Sequence, residues 1–270
     1  MTWPSGLPVS LRRWVQHAMT ELADALAELA RTETLLVALD FDGTLAPLVD
    51  DPAAARALPE AREAMLALLD TPRTRIALIS GRAMDSLIEV SEAPDTVLLS
   101  GSHGIEERLD TPPVITLTSD EIDRVERLGE ALHRVSERHD GVWVEVKPAG
   151  FALHSRLADD TVARAAQQDA ATAVASIEGL TTRPGNNVLE FSVRSTTKGD
   201  AVMRLREHSG ATAVLFAGDD VTDEDAFAAL LPGDVGIKCG AGPTAASFSV
   251  PGIPDVARAL AQVASLRRRG

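Results

Sequence analysis

The segment at residues 40–44, with the sequence DFDGT, constrains the fold of this chain more than any other. It directly follows the apolar run Leu35–Leu39, which predicts a strand buried on both faces, as in a parallel sheet. Asp40 is then expected at the carboxyl end of that strand, where ligands bind in open α/β sheets. Two carboxylates two residues apart, followed by Gly and Thr, suit a site for a cation and a phosphate better than an apolar core.

Predicted strands and helices alternate along two stretches of the chain, residues 31–108 and 196–270. The predicted strands in these stretches cover residues 35–39, 75–79, 96–99, 213–217 and 233–238. The predicted helices cover residues 53–69, 84–90, 198–207, 223–230 and 255–266. Regular alternation predicts an α/β core with a doubly wound, Rossmann-like parallel sheet. Residues 1–30 precede this core as an N-terminal extension, with an amphipathic helix predicted over residues 9–30.

The pattern changes over residues 109–195, where short strands lie next to one another in the sequence. Predicted strands cover residues 114–118, 142–147, 151–156 and 188–194, and predicted helices cover residues 120–138 and 159–177. The strands at 142–147 and 151–156 are joined by Pro148, Ala149 and Gly150, which predicts a hairpin and hence an antiparallel sheet. Residues 109–195 are therefore predicted to form an α+β domain inserted into the core.

Polar side chains follow three of the predicted core strands, and a lysine opens the helix before one of them. These residues are Asp40, Asp42 and Thr44 after the first strand, Ser80 and Gly81 after the second, and Asp219, Asp220 and Asp223 after the fourth, with Lys198 as the lysine. Converging carboxylates repel one another unless a cation lies between them, and Mg²⁺ suits oxygen ligands of this kind. Asp219 directly follows its strand and is the preferred metal ligand there, ahead of Asp220 and Asp223. Thr222 and Asp225 fit a capping box at the start of the next helix.

The chemistry of these residues predicts phosphoryl transfer. Asp40 is the candidate nucleophile, which forms an aspartyl-phosphate. Asp42 is the candidate general acid, which protonates the leaving oxygen and later activates water. Lys198 lies in the first turn of its helix, where a cation opposes the helix dipole, so we expect it to bind phosphate and to pair with Asp40. The further expected phosphate contacts are Thr44, Ser80 and Gly81.

The four clusters, in this order along the chain, resemble the four motifs of the haloacid dehalogenase-like (HAD) phosphohydrolase superfamily. The DFDGT segment resembles the first motif, Ser80 the second, Lys198 the third, and residues 218–223 (GDDVTD) the fourth. The resemblance implies hydrolysis of phosphate monoesters through a phosphorylated aspartate. It also implies a Mg²⁺ cofactor held by Asp40, the backbone carbonyl of Asp42 and Asp219.

Further motifs resemble the trehalose-6-phosphate phosphatase family over about residues 35–266. They are the segments 80–82 (SGR), 101–106 (GSHGIE) and 218–225 (GDDVTDED), together with Glu145, Lys147, His154, Arg156 and Glu190. The resemblance implies that the inserted domain is a cap that closes over the core and recognises the disaccharide through Glu145, Lys147 and Glu190. The implied reaction is the Mg²⁺-dependent hydrolysis of trehalose 6-phosphate to trehalose and phosphate, the last step of trehalose biosynthesis.

Alternation along the cap strands places charged side chains on one face of the predicted antiparallel sheet. These side chains are Glu145, Lys147, His154, Arg156, Glu190 and Arg194. The opposite face is apolar and is expected to pack on the cap helices. A charged face is also typical of a sheet that is simply exposed to water, but its place between phosphatase-like motifs favours binding of a hydroxyl-rich sugar. Arg82 and His103 complete the candidate sugar contacts.

The composition excludes several classes of partner. The formal net charge of −14 and the pI near 4.8 oppose binding to nucleic acid and to anionic membranes. No apolar run is long enough to span a bilayer, and residues 1–5 (MTWPS) lack the order of a signal peptide. Cys239 is the single cysteine, so no intramolecular disulfide can form and a cytoplasmic location is expected. The expected partner is a small sugar phosphate.

Three alternatives remain open from the sequence. One is another sugar-phosphate phosphatase, or a phosphosugar mutase, with the same core and cap. Another is a phospho-receiver signalling domain, which also uses an acidic cluster, a phosphorylated Asp and a Lys. Asp42 opposes this second alternative, because a residue that hastens hydrolysis shortens the signal. The third is a binding protein without activity, which the intact set of candidate catalytic residues opposes.

Overall fold

A computed structural model of the chain describes residues 20–109, 117–185 and 187–269. The chain divides into two compact units. The first comprises the described parts of Met1–Ser80, Asp85–Ser100 and Thr197–Gly270, and the second comprises Gly81–Met84 and the described part of Gly101–Thr196. None of the helices described is long and apolar enough to cross a membrane.

The helices and strands are numbered in chain order. The strands are β1 (Leu35–Leu39), β2 (Thr74–Ile79), β3 (Leu98–Gly101), β4 (Glu106–Arg108), β5 (Trp143–Lys147), β6 (Gly150–His154), β7 (Thr181–Gly185), β8 (Val188–Ser192), β9 (Ala213–Gly218), β10 (Val235–Cys239) and β11 (Phe248–Val250). The helices are α1 (residues 20–29), α2 (Pro59–Leu69), α3 (Met84–Ser91), α4 (Ser119–Ser136), α5 (Asp160–Val174), α6 (Lys198–Ser209), α7 (Asp223–Ala229) and α8 (Ile253–Arg267).

The first unit contains a parallel sheet in the order β11-β10-β9-β1-β2-β3, which confirms the predicted α/β fold. Every residue of β1 is fully buried, as its continuous apolar sequence predicts. The chain builds the sheet outward from β1 in one direction through β3, and then in the other direction through β9 to β11. β1 therefore lies where the strand order reverses, which is the position where open α/β sheets bind ligands.

The second unit contains an antiparallel sheet in the order β5-β6-β8-β7, as the predicted hairpin indicates. Glu145, Ala152, Glu190 and Arg183 lie opposite one another across its four strands. The apolar face packs on α4 and α5, as predicted, with Phe151, Leu153 and Phe191 buried against helix residues such as Leu128 and Ala166. One face of this sheet is therefore committed to packing, and the polar side chains lie on the other.

Several predicted elements differ from the observed ones. The predicted helix at 53–69 is a 3₁₀ turn at Pro52–Ala54 followed by α2, because Pro59 occupies the first turn of α2 and disfavours a helical conformation in the residue before it. The sequence analysis missed β4, β7 and β11. Of the predicted strand at 114–118, residues 114–116 lie outside the described chain and residues 117–118 are not in a strand. Of the predicted helix at 9–30, residues 20–29 are helical and residues 9–19 lie outside the described chain.

Arg267, at the end of α8, anchors the segments that lead into β1 and β2. Its guanidinium is 6% exposed and donates hydrogen bonds to the Thr74 hydroxyl and to four backbone carbonyls. These carbonyls belong to Ala30, Thr32, Pro72 and Arg73, at distances of 2.9 to 3.1 Å. A single side chain thus fixes the starts of the two strands whose far ends carry Asp40 and Ser80.

We expect Arg267→Ala to lower the free energy of unfolding by about 3–5 kcal/mol, because it leaves several buried acceptors without donors. Urea unfolding followed by circular dichroism measures the change. Arg268 is exposed, and Arg268→Ala is the matched control, expected within about 0.5 kcal/mol of the parent. Equal stability of the two variants would contradict the anchoring role of Arg267.

Candidate active site

The carboxylates of three aspartates meet at the carboxyl end of the central strand of the first unit. Oxygen atoms of Asp40, Asp219 and Asp223 lie within 4.8 Å of one another. Asp40 follows β1, Asp219 follows β9, and Asp223 begins α7. Because β1 and β9 pair in parallel, with Leu39 opposite Ala217, both strands deliver their following residues to the same edge. The structure thus brings together Asp40 and Asp219, the two carboxylates expected to share a metal ion.

Lys198 supplies the positive charge in this cluster. Its ammonium is 3% exposed and donates to Asp40 Oδ1 and to Asp223 Oδ1, both at 2.7 Å. Lys198 is the first residue of α6, where Thr197 and Asp200 form a capping box. A cation at a helix N-terminus opposes the helix dipole, so the two carboxylates offset an unfavourable position. The expected pairing of Lys198 with Asp40 is present.

Asp223 and Asp220 shape the loop after β9. The second oxygen of the fully buried Asp223 accepts hydrogen bonds from the backbone N–H groups of Asp219 at 2.8 Å and Asp220 at 2.9 Å. Asp220 Oδ1 accepts from the Thr222 N–H and hydroxyl, both at 2.8 Å, and from the Asp223 N–H at 3.1 Å. Both side chains are therefore engaged within the loop, and Asp219 has the carboxylate best placed to bind a metal ion.

The predicted capping box of Thr222 and Asp225 is wrong. The Thr222 side chain makes no capping hydrogen bond to α7, because its hydroxyl donates to Asp220. Asp220, two residues before Thr222, bonds the first N–H groups of the helix instead. Glu224, in the first turn of α7, accepts from the Thr244 hydroxyl and the Ala245 N–H.

Gly43 and Thr44 enclose the Asp219 carboxylate. Gly43 has a φ of +86°, and a Cβ atom there would lie 2.1 Å from Asp219 Oδ2, so only glycine fits at this position. The Thr44 hydroxyl, predicted to contact phosphate, donates to Asp219 Oδ1 at 3.2 Å. The DFDGT segment therefore holds a carboxylate that lies about 175 residues further along the chain.

The electrostatics of the cluster favour a bound cation. Burial raises the pKa of Asp40 well above its ordinary value, in spite of the adjacent Lys198 ammonium. Burial, with the nearby carboxylates of Asp223 and Asp220, raises the pKa of Asp219 to about 6. Burial alone lowers the pKa of Lys198, but the Asp40 and Asp223 carboxylates raise it above its ordinary value and keep the ammonium charged. A single lysine does not neutralise this many carboxylates, and a divalent cation relieves the excess.

Two further predicted residues lie beside the cluster in the first unit. The half-buried Asp42 forms an isolated bridge with Ala46, and its carboxylate is not among the three that converge. Ser80 follows β2 and is buried, and its backbone N–H donates to the Ser100 carbonyl at 2.9 Å. Because β2 pairs in parallel with β1, Ser80 lies at the same sheet edge as Asp40.

The polar face of the antiparallel sheet in the second unit carries a linked group of side chains. Glu145 accepts from His154 Nε2 at 2.8 Å and from Lys147 Nζ at 2.9 Å, so both of its oxygens are engaged. The His154 hydrogen bond, together with the Lys147 ammonium, lowers the pKa of Glu145 to about 2. The Trp143 ring stacks on the His154 ring with a centroid separation of 4.8 Å and an interplanar angle of 8°. Glu145 is therefore ionised and held in one orientation.

A cleft in the second unit joins the other predicted sugar contacts. It is lined by Gly81, His103, Lys147, Thr181, Arg183 and Glu190, among others. His103 Nε2 lies 3.6 Å from Glu190 Oε2. Although burial raises the pKa of Glu190, the adjacent His103 ring and the Lys147 ammonium lower it below its ordinary value. Glu190 is thus an ionised acceptor at the wall of the cleft.

Arg183 is a cleft residue that the sequence analysis missed. It lies on β7 directly opposite Glu190, and its guanidinium donates to the Thr196 carbonyl. The neighbouring Pro184 and Gly185 are typical of a turn, which is why no strand was predicted there. The only signal in the sequence was the position of a cation directly before Pro184 and Gly185.

Three arginines of the segments singled out in the sequence have other surroundings. Arg156 lies in an exposed turn after β6, not within the strand. Arg194, expected on the polar sheet face, lies beyond β8 and forms a two-bond ion pair with Glu121 at 2.9 and 3.1 Å, which lowers the pKa of Glu121 to about 2. The Arg82 carbonyl accepts from the Ser102 N–H at 2.7 Å.

The parallel sheet and the separate antiparallel sheet form a HAD-type fold. A solved sugar phosphatase of HAD subclass IIB matches the structure with a TM-score of 0.57 at 14% identity, over 84% of this chain and 96% of that chain. The C-terminal domain of C. albicans trehalose-6-phosphate phosphatase matches with a TM-score of 0.76 at 23% identity, over 90% of this chain and 96% of that chain. These similarities confirm the predicted fold.

Sequence comparison identifies the family. The family model for trehalose-phosphatase matches residues 38–252. The trehalose-6-phosphate phosphatase of Escherichia coli K12 is 33% identical over 226 residues, which cover 80% of this chain and 82% of the relative. The chain belongs to the trehalose-phosphatase family.

We expect His154→Leu, which has no side-chain donor, to raise the pKa of Glu145 from about 2 towards the ordinary value of 4.5, because the main cause of the lowering is removed. A ¹³C NMR titration of the glutamate carboxyls measures this. Since the folded-state pKa is the lower one, Glu145 stabilises the fold above about pH 4.5, and this contribution is lost as the pH falls towards 2.

His208→Leu, at an exposed histidine on α6, is the control for this titration and should leave the pKa of Glu145 unchanged. A Glu145 pKa that stays near 2 in His154→Leu would show that the hydrogen bond from His154 is not its cause.

Proposed function

We propose that the chain hydrolyses trehalose 6-phosphate to trehalose and inorganic phosphate, through a phosphorylated Asp40. The observation that carries this proposal is the buried Asp40 carboxylate, bonded to Lys198 at 2.7 Å and grouped with Asp219 and Asp223 at the switch point of the sheet. Membership of the trehalose-phosphatase family supports the choice of sugar, since the relatives described above carry that name.

Asp40 and Asp42 have different roles in the proposed reaction. A carboxylate oxygen of Asp40 attacks phosphorus, the bond from phosphorus to the sugar oxygen breaks, and Asp42 gives its proton to that oxygen. Water then attacks the aspartyl-phosphate, Asp42 takes a proton from it, and phosphate leaves with Asp40 restored. Asp42 suits this role because it lies two residues after Asp40 in the same segment at the end of β1. Lys198 holds the nucleophile in place and offsets charge on the transferring group.

The residues fit Mg²⁺ as a cofactor. The carboxylates of Asp40 and Asp219, with the backbone carbonyl of Asp42, form a set of hard oxygen donors that would hold it. Asp223 is less suited as a ligand, because both of its oxygens already accept hydrogen bonds from Lys198 and the loop backbone. When bound, Mg²⁺ supplies positive charge that offsets the crowded carboxylates and the substrate phosphate.

The second unit supplies the sugar contacts in this proposal. The ionised Glu145 and Glu190 accept hydrogen bonds from sugar hydroxyls, and the Lys147 ammonium donates to hydroxyl oxygens. Glu145 is held by His154 and Lys147 in one orientation, so little freedom is lost on binding. A site built to bond hydroxyls strongly disfavours a phosphate ester that lacks them.

Phosphate release from a panel of substrates tests the function. We expect trehalose 6-phosphate to be hydrolysed with a kcat/KM at least about 10-fold above those of sucrose 6-phosphate and glucose 6-phosphate, since each lost charged hydrogen bond costs that much or more. Activity should require added Mg²⁺ and disappear with a chelator. A preference for another sugar phosphate, or isomerisation without phosphate release, would overturn the proposed substrate and reaction.

Asp40→Asn is the control for this panel. It should lower kcat on every substrate by at least about 10³-fold, while circular dichroism shows an intact fold. Activity near the wild-type level in Asp40→Asn would exclude Asp40 as the nucleophile.

We expect Glu145→Ala to raise KM for trehalose 6-phosphate by roughly 10- to 100-fold, which is the value of a hydrogen bond to a charged group. KM for p-nitrophenyl phosphate, which has no sugar, should stay within about 2-fold of wild-type. Initial rates on the two substrates give the comparison, and Glu126→Ala, at an exposed glutamate of α4, is the matched control. An equal rise in both KM values would remove Glu145 from sugar recognition.

A further inference from the structure

Two successive residues of the second unit adopt a backbone conformation that favours glycine. Ser102 has a φ of +49° and His103 has a φ of +55°. Left-handed conformations cost free energy for residues with a Cβ atom, and they persist only where the surroundings enforce them. Such strain concentrates at functional sites, which makes the contacts that maintain this turn informative.

The Glu106 carboxylate holds this turn through hydrogen bonds. One oxygen of its carboxylate accepts from the Ser102 hydroxyl at 2.7 Å and from the Met84 backbone N–H at 2.9 Å. The Ser102 N–H donates to the Arg82 carbonyl at 2.7 Å, which ties the turn to the same segment, Gly81–Met84. Glu106 is 8% exposed, and burial of its carboxyl group is costly unless hydrogen bonds such as these two compensate for it.

The turn places the His103 ring in the cleft beside Glu190. The side chain is 13% exposed, and its Nε2 lies 3.6 Å from Glu190 Oε2. A Cβ atom on Gly81 would lie 2.7 Å from Nε2. The ring therefore packs directly against the backbone of Gly81, where only glycine fits. The other ring nitrogen, Nδ1, is buried and has no hydrogen-bond partner among the described residues. The position of this ring is therefore set by backbone geometry more than by bonds of its own.

We propose that Glu106 is a positioning residue, which maintains the left-handed turn at Ser102 and His103 and thereby fixes the His103 imidazole beside Glu190 for sugar binding. The sugar-binding part of this inference rests on the proposed function. Glu106 acts through His103, because the oxygen that makes its contacts is used within the turn and the side chain is buried.

Steady-state kinetics of Glu106→Leu and Glu106→Gln test this role. Leu removes the acceptor, so E106L should raise KM for trehalose 6-phosphate roughly 10-fold and leave KM for p-nitrophenyl phosphate within about 2-fold of wild-type. Gln keeps an oxygen that can accept both hydrogen bonds, so E106Q should stay within about 3-fold of wild-type on both substrates. Glu126→Leu, at an exposed site, is the matched control and should behave as wild-type. Equal rises on both substrates in E106L would overturn the inference.

A double variant tests whether the effect passes through His103. In E106L/H103Q, the rise in KM should be no greater than in H103Q alone, because the ring that Glu106 positions is already gone. Independent effects that multiply would contradict a role through His103.

The state of the ring can be read without substrate. ¹H–¹⁵N spectra of the imidazole, assigned with H103Q, should show shifted or broadened His103 signals in E106L and near wild-type signals in E106Q. Unchanged ring signals in a folded E106L would overturn the inference. Should E106L fail to fold, Ser102→Ala removes one of the two hydrogen bonds and is expected to change the same signals, and unchanged signals there would count equally against it.

These spectra separate the inference from the proposed function. If wild-type protein releases no phosphate from trehalose 6-phosphate, the proposed function fails, and the ring spectra still decide whether Glu106 positions His103.

Discussion

The buried ion cluster around Lys198 is the interaction on which the candidate active site depends. An ammonium and several carboxylates removed from water are each costly alone, and they become tolerable only when they neutralise one another at hydrogen-bond distance. Lys198 meets Asp40 and Asp223, each at 2.7 Å, so a single residue at the start of α6 joins the end of β1 to the start of α7. The negative charge that remains after this pairing favours the binding of a cation at the site.

Parallel register is what assembles the cluster from distant parts of the chain. β1 and β9 are about 175 residues apart in sequence but pair directly in parallel. The residues that directly follow the two strands therefore lie at the same edge of the sheet. The aspartate oxygens then come within 4.8 Å of one another. Asp223 fixes the conformation of the loop after β9. Its carboxylate accepts hydrogen bonds from the backbone N–H groups of Asp219, the candidate metal ligand, and Asp220.

The sequence was informative where one physical signal dominated. β1 was predictable because five consecutive apolar residues have few alternatives to a buried strand, and Asp40 was predictable as a site residue because a carboxylate directly after such a strand has no place in a core. β7 was not predictable, because its strand conformation comes from pairing with β8 and opposes the turn preference of Pro184 and Gly185. Arg183 was missed with it. The role of Asp220 in capping α7 was also hidden, since three nearby acidic side chains compete for the same N–H groups in the sequence.

The two units differ in how their charges are satisfied. In the proposed function, the first unit carries out the reaction and the second unit distinguishes the sugar of the substrate. In the aspartate cluster of the first unit, burial and the excess of negative charge raise the pKa of Asp219 to about 6, and the excess favours a ligand that brings a cation. In the second unit, Glu145 is already matched by His154 and Lys147, and its pKa is lowered to about 2. A matched carboxylate gains little from a further cation but keeps free lone pairs in a fixed direction, which suits hydroxyl donors. In the proposed function, binding energy from the sugar serves to orient the phosphate ester for attack, because Glu145 is already held in one orientation by Lys147 and His154.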